Sequence, residues 1–354
     1  MIYLDHAATS LPRRPEAIAA ATAAMEMVSP GRGRHGPQEA ARALVEEARA
    51  SVAALGGGGV VCFIPGATHA LNQAILGWRP RPRRVGLGPL LHNAALRPAR
   101  ALGAPTFDLP ADPDGRIALD AEWPPDLDLL VVTHGSNVSG LLQPVEALLE
   151  RAARLGAAVI VDAAQTAGTV PLPEAHAVAF SAHKGLAAIP GAGALVLRPE
   201  VQLEPLVRGG VGFDSAADDV PDALPARLES GTANLPGIAA LGAAARVAEP
   251  WDWEAAGRAL REAVRRADLS PIGAGALPVV SFAVEGWPPL VLEELLDRSF
   301  GIVTRAGLHC APRAHAYLGS GHEGALRVSA GRGTPDSDLE ELTRALRALR
   351  RKAT

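Results

Sequence analysis

The stretch AVIVDAAQTAGTVPLPEAHAVAFSAHKG at 158–185 contains two apolar runs of strand length, and each leads to a group that is out of place in an apolar setting. The first run delivers Asp162, and the second, AVAFSA at 177–182, leads to Lys184. A carboxylate carried to the end of a buried strand is costly unless it meets a cation or a strong donor. A lysine there, unlike an arginine, can lose its proton and condense with an aldehyde. Taken singly, the aspartate reads as a cap or turn residue and the lysine as a loop-end charge. Taken together, 22 residues apart on successive strand units, they match the two ends of pyridoxal 5'-phosphate: an aldehyde held by lysine and a ring nitrogen held by carboxylate.

Outward from this stretch, strand-like runs alternate with longer Ala/Leu-rich helical runs. They are VVCFI at 60–64, RVGLG at 84–88, APTFD at 104–108, LLVVTH at 129–134, AVIVDA at 158–163, AVAFSA at 177–182 and GALVLR at 193–198. The alternation predicts an α/β fold whose seven-stranded, mostly parallel sheet is covered by helices near 37–55, 67–78, 91–102 and 144–155. The stretch 208–236 is too rich in Gly, Asp and Pro for regular structure and too long for an ordinary connection, so a functional segment is expected there. Beyond it, helices at 238–248 and 254–267, a strand at 278–286, a helix at 289–299 and a last helix at 336–352 read as a smaller α+β unit.

A chain of 354 residues with 48% apolar and 20% charged residues can bury a large core and is neither disordered nor membrane-like in composition. No apolar run reaches the roughly 20 residues of a bilayer span. The formal charge of −4 gives no electrostatic reason to expect binding to nucleic acid or to an anionic membrane. The N-terminus lacks the pattern of a secretory signal, and the two cysteines, Cys62 and Cys310, suit a reduced cytoplasm. Of 34 basic residues only Lys184 and Lys352 are lysine. Lys352, in the terminal RRKAT, reads as a solvated charge, which leaves Lys184 as the one lysine placed for chemistry.

PGATHALNQAI, following the strand VVCFI, is a turn that opens a helix, and the helix's positive end is an anion site. Ala67, Thr68 and His69 form its first turn, with Thr68 equally readable as a simple N-cap. Ser181 and His183, flanking Lys184, are further phosphate donors, and His92 in LLHNAALRP is a candidate to stack on the ring. Cys62, inside a strand, reads as a small core residue. Cys310 sits instead in the polar loop RAGLHCAPRAH, where His309, Arg305 and Arg313 are expected to favour its thiolate.

These residues resemble the class V aminotransferase-like, fold-type I pyridoxal phosphate enzymes, and within them the cysteine desulfurase and selenocysteine lyase group. The matching segments are LDHAATS at 4–10, SPGRGRHG at 29–36, GATHALN at 66–72, LHNAALRP at 91–98, THGSNVSG at 133–140, VDAAQTAG at 161–168, SAHKG at 181–185, LESGTANLPG at 228–237, RAGLHCAP at 305–312 and LRVSAG at 326–331. They span nearly the whole chain in family order. The resemblance implies a large cofactor-binding domain over 13–245 and a small domain from 1–12 and 246–354. It implies that Lys184 binds the cofactor's aldehyde, Asp162 its pyridine nitrogen and Gln165 its ring hydroxyl, with His92 stacked on the ring. Ala67, Thr68, His69, Ser181 and His183 resemble the phosphate cup, completed in a homodimer by Thr232 of the other subunit. Asn137 resembles the polar contact near the ring hydroxyl and substrate, and Arg327 the clamp on the substrate carboxylate, a task that suits its planar fork. The short RxGxHCA loop resembles that of the group II desulfurases and implies that Cys310 takes the sulfur of L-cysteine as a persulfide, releases L-alanine and passes the sulfur to an acceptor, for which a protein is a candidate.

The chain departs from the family pattern at His6, where asparagine is usual, at Arg332, where an aromatic residue is expected, and in a shortened 250–278 stretch. The alternative within the same cofactor class is another amino-acid reaction, such as selenocysteine cleavage, transamination, a lyase step or epimerisation. A nucleotide-binding scaffold is disfavoured because GGGG at 56–59 and GGVG at 209–212 lack the spacing of a phosphate-binding fingerprint.

Overall fold

All seven expected strands form, and they lie in one sheet. They are β1 (Val60–Ile64), β2 (Val85–Leu87), β3 (Thr106–Asp108), β4 (Leu129–Thr133), β5 (Ala158–Asp162), β6 (Ala177–Ser181) and β7 (Gly193–Leu197), in the spatial order β1-β7-β6-β5-β4-β2-β3. β3, β2, β4, β5 and β6 pair in parallel, while β7 runs antiparallel between β6 and β1. This computed structural model describes residues 1–31, 33–212 and 217–353, the side chains of Lys352 and Ala353 excepted. The expected solvated charge of Lys352 lies outside the described residues, as do positions 213–216 of the long polar stretch.

Every residue of β4, β6 and β7 is buried, which is why these strands are almost continuously apolar rather than alternating. Odd and even positions serve two separate cores. Leu130, Val132, Val161, Val178 and Phe180 pack with Val52, Val145, Leu148 and Leu241 on one face. Leu129, Val131, Ile160, Ala177 and Ala179 pack with Leu71, Ile75, Ala95 and Leu96 on the other. The covering helices are Gly36–Ala53, Val145–Leu155 and Leu235–Arg246 on the first face, and Ala67–Leu76 and Asn93–Ala101 on the second. The helix Pro15–Ala24, whose sequence PEAIAAATAA carries little amphipathic signal, was not marked by periodicity and packs against Leu235–Arg246.

The C-terminal part builds a second sheet of three antiparallel strands, β8 (Val279–Phe282), β9 (Arg305–Gly307) and β10 (Ala325–Ser329), in the order β8-β10-β9. Helices Trp253–Arg266, Pro289–Phe300 and Asp336–Ala353 accompany it, and Phe282, Leu292, Leu296 and Leu326 are core residues there. The first residues of the chain join this body: Ile2–Tyr3 pairs in parallel with Ile302–Val303, and Leu4 is fully buried in the same core. The strands β9 and β10 and the short helix Pro312–Tyr317 were not read from the sequence as elements. Among the described residues the 208–236 stretch holds one short 3-10 turn, Ala226–Leu228, and the first residues of the helix at Leu235, as its composition predicts.

Because β7 runs opposite to its neighbours, its first residue meets the last residues of β1 and β6: Gly193 is in register with Ile64 and Ser181. A Cβ at Gly193 would lie 2.4 Å from the Phe180 carbonyl and 2.8 Å from the Gly66 Cα, both backbone atoms that cannot yield cheaply. Gly193→Ala is therefore expected to cost about 2 kcal/mol of stability, as overpacking does, and to displace the turn at Gly66. Urea unfolding checks the first effect, and affinity for inorganic phosphate checks the second.

Candidate active site

The carboxyl ends of β1, β4, β5 and β6 all open on one edge of the sheet, where open α/β folds hold ligands. Register brings Thr133, Asp162 and Ala179 side by side there. Asp162 is 5% exposed, its Oδ1 accepts from the Ala164 N–H at 3.0 Å, and among the described residues no cation lies within ion-pair distance of it. A carboxylate so placed fits a cationic ring nitrogen. Lys184 follows β6 in the next loop. Burial holds its ammonium below the ordinary lysine range, with Arg327 adding to the effect, while Asp162, Cys310 and Asp5 oppose it. The charges acting on Lys184 are thus those of the residues the sequence singled out, with Asp5 added.

The anion cradle lies beside them. Gly66 leads into the helix Ala67–Leu76; the Ala67 N–H donates to Ser181 Oγ at 2.8 Å, and a Cβ on Gly66 would come within 3.2 Å of the same oxygen. Ser181 Oγ is the acceptor in that bond, and the exposed Thr68 and His69 complete the first turn. His183 is held through Nδ1, 3.0 Å from Thr9 Oγ1, and burial pulls its pKa down to about 4. Thr9 in turn accepts from Arg13 Nη2 at 2.9 Å, and Arg13 Nη1 donates to the carbonyls of His183 and Ala188. These groups fit a phosphate, and with Asp162 and Lys184 they fit pyridoxal phosphate as a whole.

His92 is the N-cap of Asn93–Ala101: its Nδ1 accepts from the Ala94 N–H at 3.0 Å, which places the ring proton on Nε2. Burial lowers its pKa, helped by the positive charges of Lys184, Arg327 and Arg97 and opposed by Asp162. Asn137, 7% exposed, donates from Nδ2 to the His309 carbonyl at 2.8 Å. Gln165 donates from Nε2 to the Ala7 carbonyl at 2.9 Å, so one of its two amide protons is committed to the chain. Thr232 lies exposed on the surface.

Arg327, on β10, is 3% exposed. It donates from Nη2 to Asp5 Oδ1 at 2.8 Å and from Nη1 to the Asn137 carbonyl at 3.2 Å, and its buried Nε has no partner. Asp5 is the participant that the sequence reading missed. Its signal was its place in LDHAATS, an acidic residue directly after the buried Leu4.

Cys310 is exposed, and it follows His309 in the left-handed backbone region, with φ of +49° at His309 and +55° at Cys310. Such a conformation is rare for residues other than glycine. Both carbonyls are tethered, His309 to Asn137 and Cys310 to the Asn93 N–H at 2.8 Å. The structure corrects the expected cationic surroundings of the thiol. Arg305 binds Asp5, Arg313 binds Asp108 and the Gly88 carbonyl, and burial pushes His309 down to about 2, so it is neutral. Lys184 and Arg327 are the cations that Cys310 acts on.

At the two departures from the expected pattern, His6 stacks edge-on to Tyr3 and lines a cleft with Ser10, Gln165 and Arg332. Arg332 donates to the Glu249 carbonyl and lies 5.9 Å over the Trp251 ring. The cleft therefore borders Gln165 rather than the guanidinium of Arg327.

Fold and site together define an α/β protein that brings a buried aspartate, a half-buried lysine and a helix N-terminus to the carboxyl edge of its sheet. The family model for aminotransferase class-V matches residues 2–342, and the chain belongs to that family. It is 30% identical to a cysteine desulfurase of Cereibacter sphaeroides over 98% of this chain and 94% of that protein. It is 31% identical to a probable cysteine desulfurase of Pseudomonas putida over 97% and 92%. Among solved structures, the apo cysteine desulfurase of Thermococcus onnurineus superposes with a TM-score of 0.90 at 27% identity, covering 99% of this chain and 95% of that one. The cysteine desulfurase CsdA of Escherichia coli gives 0.86 at 27% identity, with 98% and 94% covered.

Several buried histidines carry a common consequence. His6, His134, His183 and His315 are lowered to about 4, and His309 to about 2, each chiefly by burial. The unfolded chain binds these protons first, so their contribution to stability is complete above the ordinary histidine pKa of about 6.5. It is lost as pH falls from there toward 4. Urea unfolding of the cofactor-free protein is expected to show stability falling between pH 6.5 and 5 by on the order of 1 kcal/mol per buried histidine. A stability flat across that window would show that these histidines are not held neutral.

Proposed function

We propose that the protein is a pyridoxal-phosphate-dependent cysteine desulfurase that converts L-cysteine to L-alanine and holds the sulfur on Cys310 before passing it to an acceptor thiol. The observation that carries this reading is the convergence of Lys184, Asp162 and Arg327 with an exposed Cys310 whose loop is tethered to the His92 helix. The desulfurases among its relatives support it. In this reading Lys184, Asp162, His92, Asn137 and Gln165 hold the body of the cofactor, and Ala67, Thr68, His69, Ser181 and His183 hold its phosphate. Thr232 of a second subunit completes the phosphate site in a homodimer. The two unpaired thiols, Cys62 and Cys310, favour a cytoplasmic setting.

When bound, the cofactor supplies a conjugated ring that accepts the electron pair left when the Cα–H bond breaks. The remaining work belongs to the chain. Lys184, whose ammonium burial holds below the ordinary lysine range, is placed to remove the Cα proton through Nζ. Asp162 keeps the ring nitrogen protonated. Arg327 fixes the substrate carboxylate by charge-assisted hydrogen bonds. Cys310 Sγ attacks the substrate sulfur: an S–S bond forms, the Cβ–S bond breaks with its pair left on carbon, and that carbon takes up a proton as alanine is made.

Single-turnover incubation of the cofactor-loaded protein with L-cysteine tests this reading. One sulfur atom added to the Cys310 peptide with an equal amount of alanine is the expected result. Lys184→Ala is expected to abolish both products, and Cys310→Ala to abolish sulfur transfer from cysteine. A spectral response to the amino acid with neither persulfide nor alanine would assign the site to another reaction of the same family.

A further inference from the structure

Asp5, Arg327 and Arg305 form a group whose charges do not cancel. Asp5 is 3% exposed. Its Oδ1 accepts from Arg327 Nη2 at 2.8 Å, and its Oδ2 accepts from Arg305 Nη2 at 3.0 Å and Nε at 3.1 Å. The two guanidiniums approach from adjacent, paired strands: Arg305 of β9 is in register with Arg327 of β10. Their surroundings differ sharply, with side-chain exposures of 4% for Arg327 and 51% for Arg305. Glu293 and Tyr3 act on Arg305 from farther away, and Cys310 acts on Arg327. Among the described residues Asp5 is the only carboxylate in ion-pair contact with either arginine.

Two cations therefore share one buried anion. Had Arg327 and Asp5 been alone, the pair would be neutral, and a substrate carboxylate would have to compete with Asp5 for the guanidinium. Arg305 weakens that competition, because its two hydrogen bonds occupy Oδ2 and draw part of the negative charge toward the surface. What remains at Arg327 is an uncompensated positive charge and a buried Nε–H without a partner. Leaving both in place is costly unless a ligand supplies the missing anion.

We propose that Arg305 is a positioning residue for carboxylate recognition: by sharing Asp5 it keeps Arg327 one negative charge short, so that the site takes one monocarboxylate and completes a group of two cations and two anions. Arg305 acts through Asp5 and need not touch the substrate. The proposal rests on the reading of Arg327 as the substrate's carboxylate clamp, and it extends that reading to the group that sets the clamp's charge.

The test measures equilibrium binding of L-alanine and of ethylamine, the same amine without the carboxylate, to the cofactor-loaded protein from its visible absorbance. Arg305→Gln is expected to weaken alanine about fivefold to tenfold, the scale of one partly screened charge interaction, and to leave ethylamine affinity as it was. Arg305→Lys is expected to recover most of the loss. The double variant Asp5→Asn with Arg305→Gln, which again leaves Arg327 unneutralised, is expected to bind alanine more tightly than Arg305→Gln alone. Equal alanine affinity in wild type and Arg305→Gln would overturn the proposal, as would equal losses for alanine and ethylamine, which would mark a merely structural role. No recovery in Arg305→Lys and the double variant together would overturn it as well. Arg327→Met separates the two levels. If it weakens alanine alone while Arg305→Gln has no effect, only the role of Arg305 fails; if it has no effect, the clamp reading fails with it. Alanine binding that follows the expected pattern in a protein that releases no sulfur from cysteine would support the charge-sharing role and refute the desulfurase assignment.

Discussion

Asp162, buried at the end of β5, and Lys184, half-buried in the loop after β6, make no ion pair with each other, and much of the surrounding structure bears on keeping them apart. A buried pair in direct contact would satisfy itself and leave nothing for a ligand. Asp162 is fixed by the Ala164 N–H and by strand register, while Lys184 belongs to a loop whose backbone is tied down from outside. The two side chains are thus positioned by separate supports.

The support for the Lys184 loop comes from the N-terminal segment. Ser10 N–H donates to the His183 carbonyl at 2.9 Å, Arg13 holds the carbonyls of His183 and Ala188, and Arg14 reaches Leu186 from Nε. A few residues earlier the same segment is part of the other body: Leu4 fills its core, Asp5 pairs with both arginines, and the Ala7 N–H donates to Ser329 Oγ at 2.9 Å. About ten residues thus connect the lysine of one sheet with the arginine of the other. Shifting the small sheet would pull on the segment that fixes the lysine loop, so the geometry of the candidate carboxylate clamp and that of the candidate cofactor site are mechanically coupled.

The large sheet was legible because strands buried on both faces must be largely apolar: VVCFI and GALVL are wholly so, and LLVVT, AVIVD and AVAFS are apolar up to one polar last residue. The lysine and the aspartate stood out for the same reason, as charges that interrupt runs with no solvent to receive them. The small sheet was less visible: β9 is RAG, three residues with an arginine at its start, and β10 has Arg327 at its centre, so neither shows a period. Asp5 was hidden because its partners lie some 300 residues away in sequence, at Arg305 and Arg327. The surroundings of Cys310 misled for a related reason, since sequence neighbours were counted as spatial neighbours. Arg305 and Arg313 turn to carboxylates on other elements, and the positive charges near the thiol come from β10 and from the loop after β6.

The exposure of the groups is graded in a way that suits two different tasks. Asp162 and Arg327 are almost entirely buried, where charge interactions are weakly screened and protons move under control. Cys310 is exposed, although its loop stands against the same buried site. Two consecutive left-handed residues, with their carbonyls pinned by Asn137 and by the Asn93 N–H, give that loop little freedom to swing. A sulfur atom held on Cys310 would therefore be presented in place rather than carried away on a moving arm.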